Sequence, residues 1–356
     1  MPRIVIAAGG TAGHVVPALA VADALRARGA DVEFVGGERA EAELVPAAGY
    51  PFHMLRVEGI DRSHPLRAAR AVLRAGRATV QARGLLRRVA PGAVLGGGGY
   101  VAGPVGLAAR SLGIPIVLTE ADSHLGMTNR LLAPLAQRIF LAFPIEEREG
   151  SRWEVSGRPV PAGTGSADRA AARERFGVAP DEACVLVFGG SLGARRLNDA
   201  TLEAFGTAAP GAVLHASGRR DHDDLRRRLD ELGSPSHYHL HPYIEPFADA
   251  LAAADLAVAR AGGGVQELLV ARLPSVLVPY PHATADHQTK NAGWAEQAGA
   301  AVVVPDDELD GRRLAREVAA LLSAPQRMAE MANAAAAAAR PDAAERIADE
   351  LLRLAG

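Results

Sequence analysis

The sequence has little cysteine, no long apolar run and almost no excess charge. A single cysteine, Cys184, excludes an internal disulfide and is typical of a reducing compartment. No stretch reaches the ~18 apolar residues of a membrane-spanning helix, and the first apolar run is too short for a signal peptide. The formal net charge of -2 provides no bulk attraction to nucleic acid. We therefore expect a cytoplasmic protein that does not bind nucleic acid.

Short apolar runs alternate along the chain with longer stretches of helical periodicity. The runs are RIVIAA, DVEFVG, AVLGG, PIVLTE, RIFLAF, CVLVFGG, AVLHAS, LAVARA, SVLVPY and AVVVPD. Because they are continuously apolar rather than alternating, they predict parallel strands buried on both faces of a sheet. A chain of 356 residues is long enough for two domains of ~150 residues each. The predicted fold class is α/β, with two domains.

One glycine motif occurs twice. The first copy, IVIAAGGTAGH, has its glycine pair at Gly9 and Gly10, and the second, VLVFGGSLGAR, has its pair at Gly189 and Gly190. Each copy reads strand, two glycines, hydroxyl residue, any residue, glycine, helix. The repetition predicts two similar doubly wound domains.

The domain boundaries follow from composition. A segment rich in proline, glycine and small residues, 156–169, lies between the two copies of the motif. We place an N-terminal Rossmann-like domain at 1–157, a linker at 158–168 and a C-terminal Rossmann-like domain at 169–340. A C-terminal helix, 341–356, is placed on the N-terminal domain as a hypothesis.

Both glycine loops are candidate phosphate sites. A loop that ends a strand and opens a helix brings unpaired N–H groups and the positive end of the helix dipole to one point. Neither loop is a P-loop, because the lysine-hydroxyl pair is missing, and tight strand-helix packing is the alternative. In the first helix we expect Val16, Leu19, Ala20 and Leu25 on one apolar face and Gly29 as the stop.

A third glycine loop fits a dinucleotide pattern. Gly97, Gly99 and Ala102 match G-x-G-x-x-A, and Glu120 or Asp122 follows about twenty residues later, where a ribose-binding acid is expected. The pattern is short and the region is rich in glycine, so a chance match is the favoured interpretation. We predict no NAD and no other cofactor.

Two further patterns resemble metal sites. One face of a predicted strand carries His237, His239 and His241, a spacing compatible with zinc, but no cysteine or paired carboxylate supports a zinc site there. The acidic segment 305–310 is explained by a solvated turn. No metal is predicted.

Polar residues follow two strands of the C-terminal half. Glu267 begins the helix after ARAGGG, where its carboxylate either accepts two hydrogen bonds from a ribose diol or stabilises the first helical turn. The next polar loop contains residues that we interpret as hydrogen-bonding groups: His282, Asp286, His287, Gln288 and Asn291.

Arginine is concentrated between Arg62 and Pro91, where eight arginines occur without an acid. Four of them have helical spacing: Arg67, Arg70, Arg74 and Arg77. The pattern is that of a basic amphipathic helix lying on anionic lipid headgroups, or of a solvated basic helix; both remain open.

Taken together, GGTAGHVVPALAVADAL, GGGGYVAGP, EADSHLGMTNRLLAP, GGSLGARRLN, RAGGGVQE and DHQTKNAGWAEQAGAA resemble, in order and spacing, the MurG family of bacterial N-acetylglucosaminyltransferases. The resemblance spans essentially the whole chain. It implies a GT-B fold, in which two Rossmann-like domains face a central cleft. It also implies an inverting, metal-independent transfer of GlcNAc from UDP-GlcNAc to the C4 hydroxyl of undecaprenyl-linked lipid I, giving lipid II for peptidoglycan. The place of action would be the cytoplasmic face of the inner membrane, with peripheral attachment to anionic lipids.

The resemblance also assigns roles to residues. His14 matches the position of the general base. The positions matching the donor site are Thr11, Ala12, Gly13, Ser191, Leu192, Gly193, Ile244, Arg260, Gly262, Gly263, Gly264, Val265, Glu267 and Gln288. Those matching the acceptor site are Gly10, Tyr100, Glu120, Asp122 and Asn129.

The chain departs from the family pattern at several positions. Ala12 stands where glycine is usual, Asp122 replaces an asparagine, and Pro161 stands where a donor-contacting arginine is expected. The loop containing Gly263 and Gly264 is one residue shorter and lacks a hydroxyl. Three alternatives stay open for this reason: a GT-B transferase for another lipid or a small hydrophobic acceptor, a UDP-GlcNAc 2-epimerase, and a non-catalytic UDP-sugar-binding regulator.

Overall fold

A computed structural model describes residues 1–57, 65–190 and 193–356, with side chains along the helix that starts at Pro65 described from Arg74 onward. The chain forms two compact units. Unit 1 comprises Met1–Pro161 and Arg340–Gly356, and unit 2 comprises Ala162–Ala339. The first crossing between units therefore falls within the segment expected to be the linker.

Unit 1 is built on a seven-stranded parallel sheet with the strand order β3-β2-β1-β4-β5-β6-β7. Its strands are β1 (Arg3–Ala7), β2 (Asp31–Gly36), β3 (Phe52–Met54), β4 (Ala93–Gly96), β5 (Ile116–Glu120), β6 (Arg138–Leu141) and β7 (Trp153–Val155). Its first helices are α1 (Ala12–Ala27), α2 (Ala40–Ala47), α3 (Pro65–Val89), α4 (Ala102–Ser111) and α5 (Met127–Leu132), with a 3₁₀ turn at Ala133–Leu135.

Unit 2 is built on a six-stranded parallel sheet with the strand order β10-β9-β8-β11-β12-β13. Its strands are β8 (Cys184–Phe188), β9 (Ala212–Ala216), β10 (Tyr238–His241), β11 (Leu256–Arg260), β12 (Ser275–Val278) and β13 (Ala301–Val303). Its helices are α6 (Arg169–Phe176), α7 (Arg195–Phe205), α8 (His222–Glu231), α9 (Phe247–Ala253), α10 (Gly264–Val270), α11 (His287–Gln297), α12 (Gly311–Leu322) and α13 (Pro325–Ala338), with 3₁₀ turns at Thr284–Asp286 and Asp306–Glu308. The last helix of the chain, α14 (Ala343–Ala355), belongs to unit 1.

The two sheets have the same strand pattern. In each, the first strand lies in the middle, and the next two strands add on one side before the chain crosses to the other. This is the doubly wound α/β arrangement that the continuously apolar runs predict, and the fold-class prediction is confirmed. In such sheets ligands bind beyond the carboxyl ends of the strands, at the point where the strand order reverses. That point lies at β1 and β4 in unit 1 and at β8 and β11 in unit 2.

Helix α1 corrects one prediction. Of the four residues expected on the apolar face, Ala20 and Leu25 are buried, whereas Val16 and Leu19 are only half-buried. The buried positions are spread around the helix because α1 packs both on the sheet and on α14, whose apolar residues join the same core. A helix covered on two sides has no single apolar face, so its periodicity carries little information.

Helix α14 is fastened to unit 1 by apolar and charged contacts. Ile347 and Leu351 are fully buried in the core that contains α1. Arg28 pairs with Asp349 at 2.7 Å, and Arg346 pairs with Glu154 at 2.6 Å. The sheet of unit 1 is therefore covered by a helix from the far end of the sequence.

Among the described residues, no helix is both long and apolar enough to cross a bilayer.

Candidate active site

The loop between β1 and α1 lies at the switch point of unit 1. Gly10 has a φ of +104°, a conformation that favours glycine, and Thr11 then caps α1 with extended backbone and no side-chain cap bond. Thr11 and Gly13 are exposed. The start of the helix is thus accessible to solvent, as an anion site requires.

His14 stands on this first turn. Its Nδ1 lies 3.3 Å from the Thr11 hydroxyl. Burial lowers the pKa of the imidazole below 6.5, and the positive charge of Arg158 lowers it further, while Asp122 and Glu41 act in the opposite direction. The ring is therefore neutral at pH 7 and able to accept a proton.

Arg158 was not predicted by the sequence reasoning. Its Nη2 donates to the carbonyl oxygen of Gly13 at 2.5 Å. The guanidinium thereby brings a positive charge to the first turn of α1. Arg158 belongs to the same short segment of the chain as Pro161.

The glycine run after β4 packs directly on the β1 loop. A Cβ at Gly99 would lie 1.9 Å from the carbonyl oxygen of Gly9, and a Cβ at Gly98 would lie 2.5 Å from Cδ2 of His14. Both glycines also have positive φ, +96° at Gly98 and +79° at Gly99. Close packing between two loops of the site accounts for these glycines.

Glu41 is a second residue that the sequence reasoning missed. Its side chain is 0% exposed, and it accepts hydrogen bonds from the backbone N–H of Gly10 (2.8 Å), the backbone N–H of Gly37 (2.9 Å) and the hydroxyl of Tyr100 (3.2 Å). Tyr100 was expected to bind the acceptor substrate, but its hydroxyl donates its hydrogen bond to Glu41 within the protein.

Two other residues expected to bind the acceptor substrate, Glu120 and Asn129, are buried beneath the loop that follows β5. Glu120 accepts from the backbone N–H of Gly126 at 2.8 Å and from the side-chain amide of Asn129 at 2.9 Å. Asn129 also donates to the carbonyl oxygen of Thr119. Burial raises the pKa of Glu120. Both side chains hold the loop that carries the half-buried Asp122.

In unit 2 the corresponding loop follows β8. Gly190 and Gly193 have φ values of +100° and +83°, and a Cβ at Gly193 would lie 2.5 Å from the carbonyl oxygen of Ser217. The predicted donor residues Ser191 and Leu192 lie outside the described residues.

A buried polar network supports this loop. Asn198 donates to the carbonyl oxygen of Ser217 at 2.9 Å and to Asp221 at 3.0 Å, and its side-chain oxygen is 3.0 Å from Nε2 of His215. Nδ1 of His215 is 2.7 Å from the hydroxyl of Tyr238. Burial lowers the pKa of His215 to about 3. The network therefore contains a neutral histidine.

The expected donor residues after β11 gather at one place. Gly262 to Gly264 open α10, where Val265 is buried and Glu267 is half-buried on the first turn. Gln288 accepts from the backbone N–H of Tyr280 at 2.9 Å, and a Cβ at Gly262 would lie 3.7 Å from its Nε2. The structure thus brings Gln288 beside the loop that precedes Glu267.

Ile244 is buried, and its neighbour Tyr243 is 45% exposed, so about half of its surface is covered by the protein. Burial raises the pKa of Tyr243, and the charges of Glu245 and Glu267 raise it further. Tyr243 therefore lies within electrostatic reach of Glu267.

Arg260, one of the residues expected at the donor site, has its guanidinium bound to other groups of unit 2. Its guanidinium donates to the carbonyl oxygens of Val278 and Pro279, each at 3.2 Å, and lies 2.5 Å from Asp306. Nearly all of it is buried. Arg260 holds the carboxyl ends of β11 and β12 to the turn at Asp306.

Within the described ranges, no three His, Cys, Asp or Glu side chains come together as a metal-binding group.

Family models match both units. The glycosyltransferase family 28 N-terminal domain matches residues 4–141, and the glycosyltransferase family 28 C-terminal domain matches residues 184–347.

Curated relatives match along the whole chain. A UDP-N-acetylglucosamine--N-acetylmuramyl-(pentapeptide) pyrophosphoryl-undecaprenol N-acetylglucosamine transferase of Methylococcus capsulatus is 43% identical, with 99% of each chain covered. The protein of the same name from Moorella thermoacetica is 40% identical, covering 99% of this chain and 98% of the relative.

Solved structures also match along nearly the whole chain. The crystal structure of Acinetobacter baumannii MurG is 31% identical with a TM-score of 0.78, covering 99% of this chain and 100% of that one. A putative UDP-N-acetylglucosamine 2-epimerase from Listeria monocytogenes has a TM-score of 0.71 at 16% identity, covering 97% and 94%, and shares the fold alone. The chain belongs to glycosyltransferase family 28, and within it to the MurG family.

Proposed function

We propose that this chain transfers N-acetylglucosamine from UDP-N-acetylglucosamine to the C4 hydroxyl of undecaprenyl-diphosphate-linked N-acetylmuramyl-pentapeptide, lipid I, giving lipid II. The observation that carries the proposal is His14, a neutral imidazole on the exposed first turn of α1. The relatives that are 40% and 43% identical are named as transferases of this sugar from this donor to this acceptor.

In the proposed chemistry His14 is the general base. With Nδ1–H donating to the Thr11 hydroxyl, the lone pair of Nε2 is available. Nε2 takes the proton as the C4 oxygen attacks the anomeric carbon, and the bond from that carbon to the diphosphate breaks. UDP leaves with the electron pair, and the configuration at the anomeric carbon inverts. His14→Ala should lower turnover by about 10²-fold.

Unit 2 is proposed to bind the donor. The amides of the loop at Gly190 and Gly193 suit the diphosphate, Glu267 the ribose diol, Gln288 the sugar, and the segment at Ile244 the uracil. Oriented amides and the helix dipole stabilise the charge that develops on the leaving UDP. We therefore propose that the reaction needs no metal, so turnover after exhaustive treatment with EDTA should equal that with added Mg²⁺. A loss on chelation that Mg²⁺ restores would contradict it.

We further propose peripheral attachment at the cytoplasmic membrane face through α3 and α4, which pack against each other. Val80 is 73% exposed and Leu107 is 49% exposed, and Arg74, Arg77 and Arg110 are also exposed. Exposed apolar side chains and exposed arginines on the same two helices fit an anionic headgroup layer. The other two arginines of the predicted basic helix, Arg67 and Arg70, have side chains outside the described residues.

Liposome co-sedimentation tests the membrane proposal. Vesicles with anionic lipid should retain more protein than neutral vesicles, and Arg74→Gln with Arg77→Gln should reduce the difference. Equal recovery from both vesicles rejects the proposal.

The reaction itself is tested with pure protein, a panel of labelled UDP-sugars and a short-chain lipid I analogue. Transfer of GlcNAc is expected. Transfer of another sugar, release of UDP-N-acetylmannosamine without an acceptor, or UDP-sugar binding without turnover would each replace the proposal by one of the alternatives above.

A further inference from the structure

Glu41 joins three loops of unit 1. Its Oε2 accepts from Gly10, in the loop after β1, and its Oε1 accepts from Gly37, after β2, and from Tyr100, after β4. Strands β2, β1 and β4 are neighbours in the sheet. One carboxylate, on the first turn of α2, therefore ties together the carboxyl ends of three adjacent strands at the switch point.

The glycines around Glu41 leave no room for a Cβ beside its side chain. A Cβ at Gly9 would lie 2.6 Å from Oε1 of Glu41, and a Cβ at Gly36 would lie 2.7 Å from its Cγ. A Cβ at Gly37 would lie 2.9 Å from the same Oε1 and 2.3 Å from the hydroxyl of Tyr100. Because the pocket admits no extra carbon on three sides, the length of the side chain and the position of its two oxygens are fixed.

The connection to the proposed base is short. Gly10, held by Glu41, is followed directly by Thr11, whose hydroxyl contacts Nδ1 of His14. The other side of the imidazole packs on Gly98, two residues before Tyr100. Glu41 thus holds both loops between which the ring is placed.

We propose that Glu41 is the positioning residue of this site: it fixes the loop of Gly10 and Thr11 so that His14 meets the acceptor hydroxyl, and its negative charge offsets that of Arg158. The inference rests on the proposed transfer reaction. Three charged groups act on His14: Arg158 lowers its pKa, while Asp122 and Glu41 raise it.

Two substitutions separate geometry from charge. Glu41→Gln keeps the length but removes the charge, and its single amide oxygen cannot replace both carboxylate oxygens that accept from Gly10 and Gly37. Glu41→Asp keeps the charge but retracts the oxygens by one carbon. Both should lower kcat for transfer by about 10- to 100-fold, with UDP affinity unchanged, because small misplacements of a catalytic group are costly.

The pH profile distinguishes positioning from general support of the fold. In Glu41→Gln the pKa of His14 falls further, so the acid limb of kcat/KM moves to lower pH; in Glu41→Asp it stays near that of the parent. Glu43→Gln, an exposed residue of the same helix, is the matched control and should behave as the parent. A folded Glu41→Gln protein with the parent's kcat and acid limb overturns the inference.

Tyr100→Phe removes one of the three bonds and serves if Glu41→Gln does not fold. It should lower kcat by several-fold while leaving UDP affinity unchanged, and parental kcat would overturn the inference. Failure of the proposed function is separate, since it would appear as absence of GlcNAc transfer by the parent protein itself.

Discussion

The imidazole of His14 lies against the backbone of Gly98, so closely that a Cβ at residue 98 would come within 2.5 Å of the ring. Gly98 also has a φ of +96°. Gly98→Ala should therefore displace the ring and lower kcat at least about 10-fold, besides costing about 1–3 kcal/mol of unfolding free energy. Steady-state kinetics and thermal melts measure both.

Gly49→Ala is the control for backbone strain. Gly49 has a φ of +73° but open space around its Cβ. The control should lose stability and keep its turnover. If Gly98→Ala behaved in the same way, contact with the ring would not matter for catalysis.

Arg158 should set the pH range of activity. Because its charge lowers the pKa of His14, Arg158→Gln should raise that pKa towards 6.5. The base form is then lost at a higher pH on acidification, so the acid limb of kcat/KM should move upward. Arg316→Gln, an exposed arginine of α12, should leave the profile in place. An unmoved limb in Arg158→Gln would mean that the guanidinium does not act on the base.

Glu267 should contribute to donor affinity. A charged hydrogen bond to the ribose is worth about 1.5–3 kcal/mol, so Glu267→Gln should weaken UDP binding roughly 10-fold or more. Isothermal titration with UDP measures this in the absence of an acceptor. Glu330→Gln, on the exposed side of α13, is the control. Equal affinities for the two variants would remove Glu267 from the ribose site.

His215 should make stability depend on pH. Its pKa is about 3 in the fold and near 6.5 when unfolded, so between these values the unfolded chain binds the additional proton. The stabilisation is complete above pH 6.5 and is lost as pH falls towards 3, by about 1.4 kcal/mol for each pH unit. Urea unfolding of the parent and of His215→Gln should therefore give a stability difference that narrows from pH 7 to pH 5. Parallel curves would contradict the linkage.

The sequence predicted the central strands of the sheets better than the strands at the sheet edges. Every apolar run became a strand, and the HYHLH segment became β10. The strands β3 and β7 were missed, because each has only three residues, lies at an edge and is partly exposed. Edge strands bury little and leave no continuous apolar run.

The site was only partly predictable. The glycine loops and His14 are local features, readable from consecutive letters. Glu41 bonds to residues 31 positions before it and 59 after it, and only the topology brings these loops together. The available signal was a carboxylate on the first helical turn after a second glycine pair, Gly36 and Gly37, and it names no partner.

The position of α14 also has a consequence for synthesis of the chain. The apolar surface of α1 is closed by Ile347, Ala348 and Leu351, which follow the whole of unit 2 in the sequence. A nascent chain therefore completes unit 2 before it can finish unit 1. Folding of the unit that carries His14 is coupled to translation of residues beyond Ala339, so a ribosome-bound chain that stops there exposes an uncovered core.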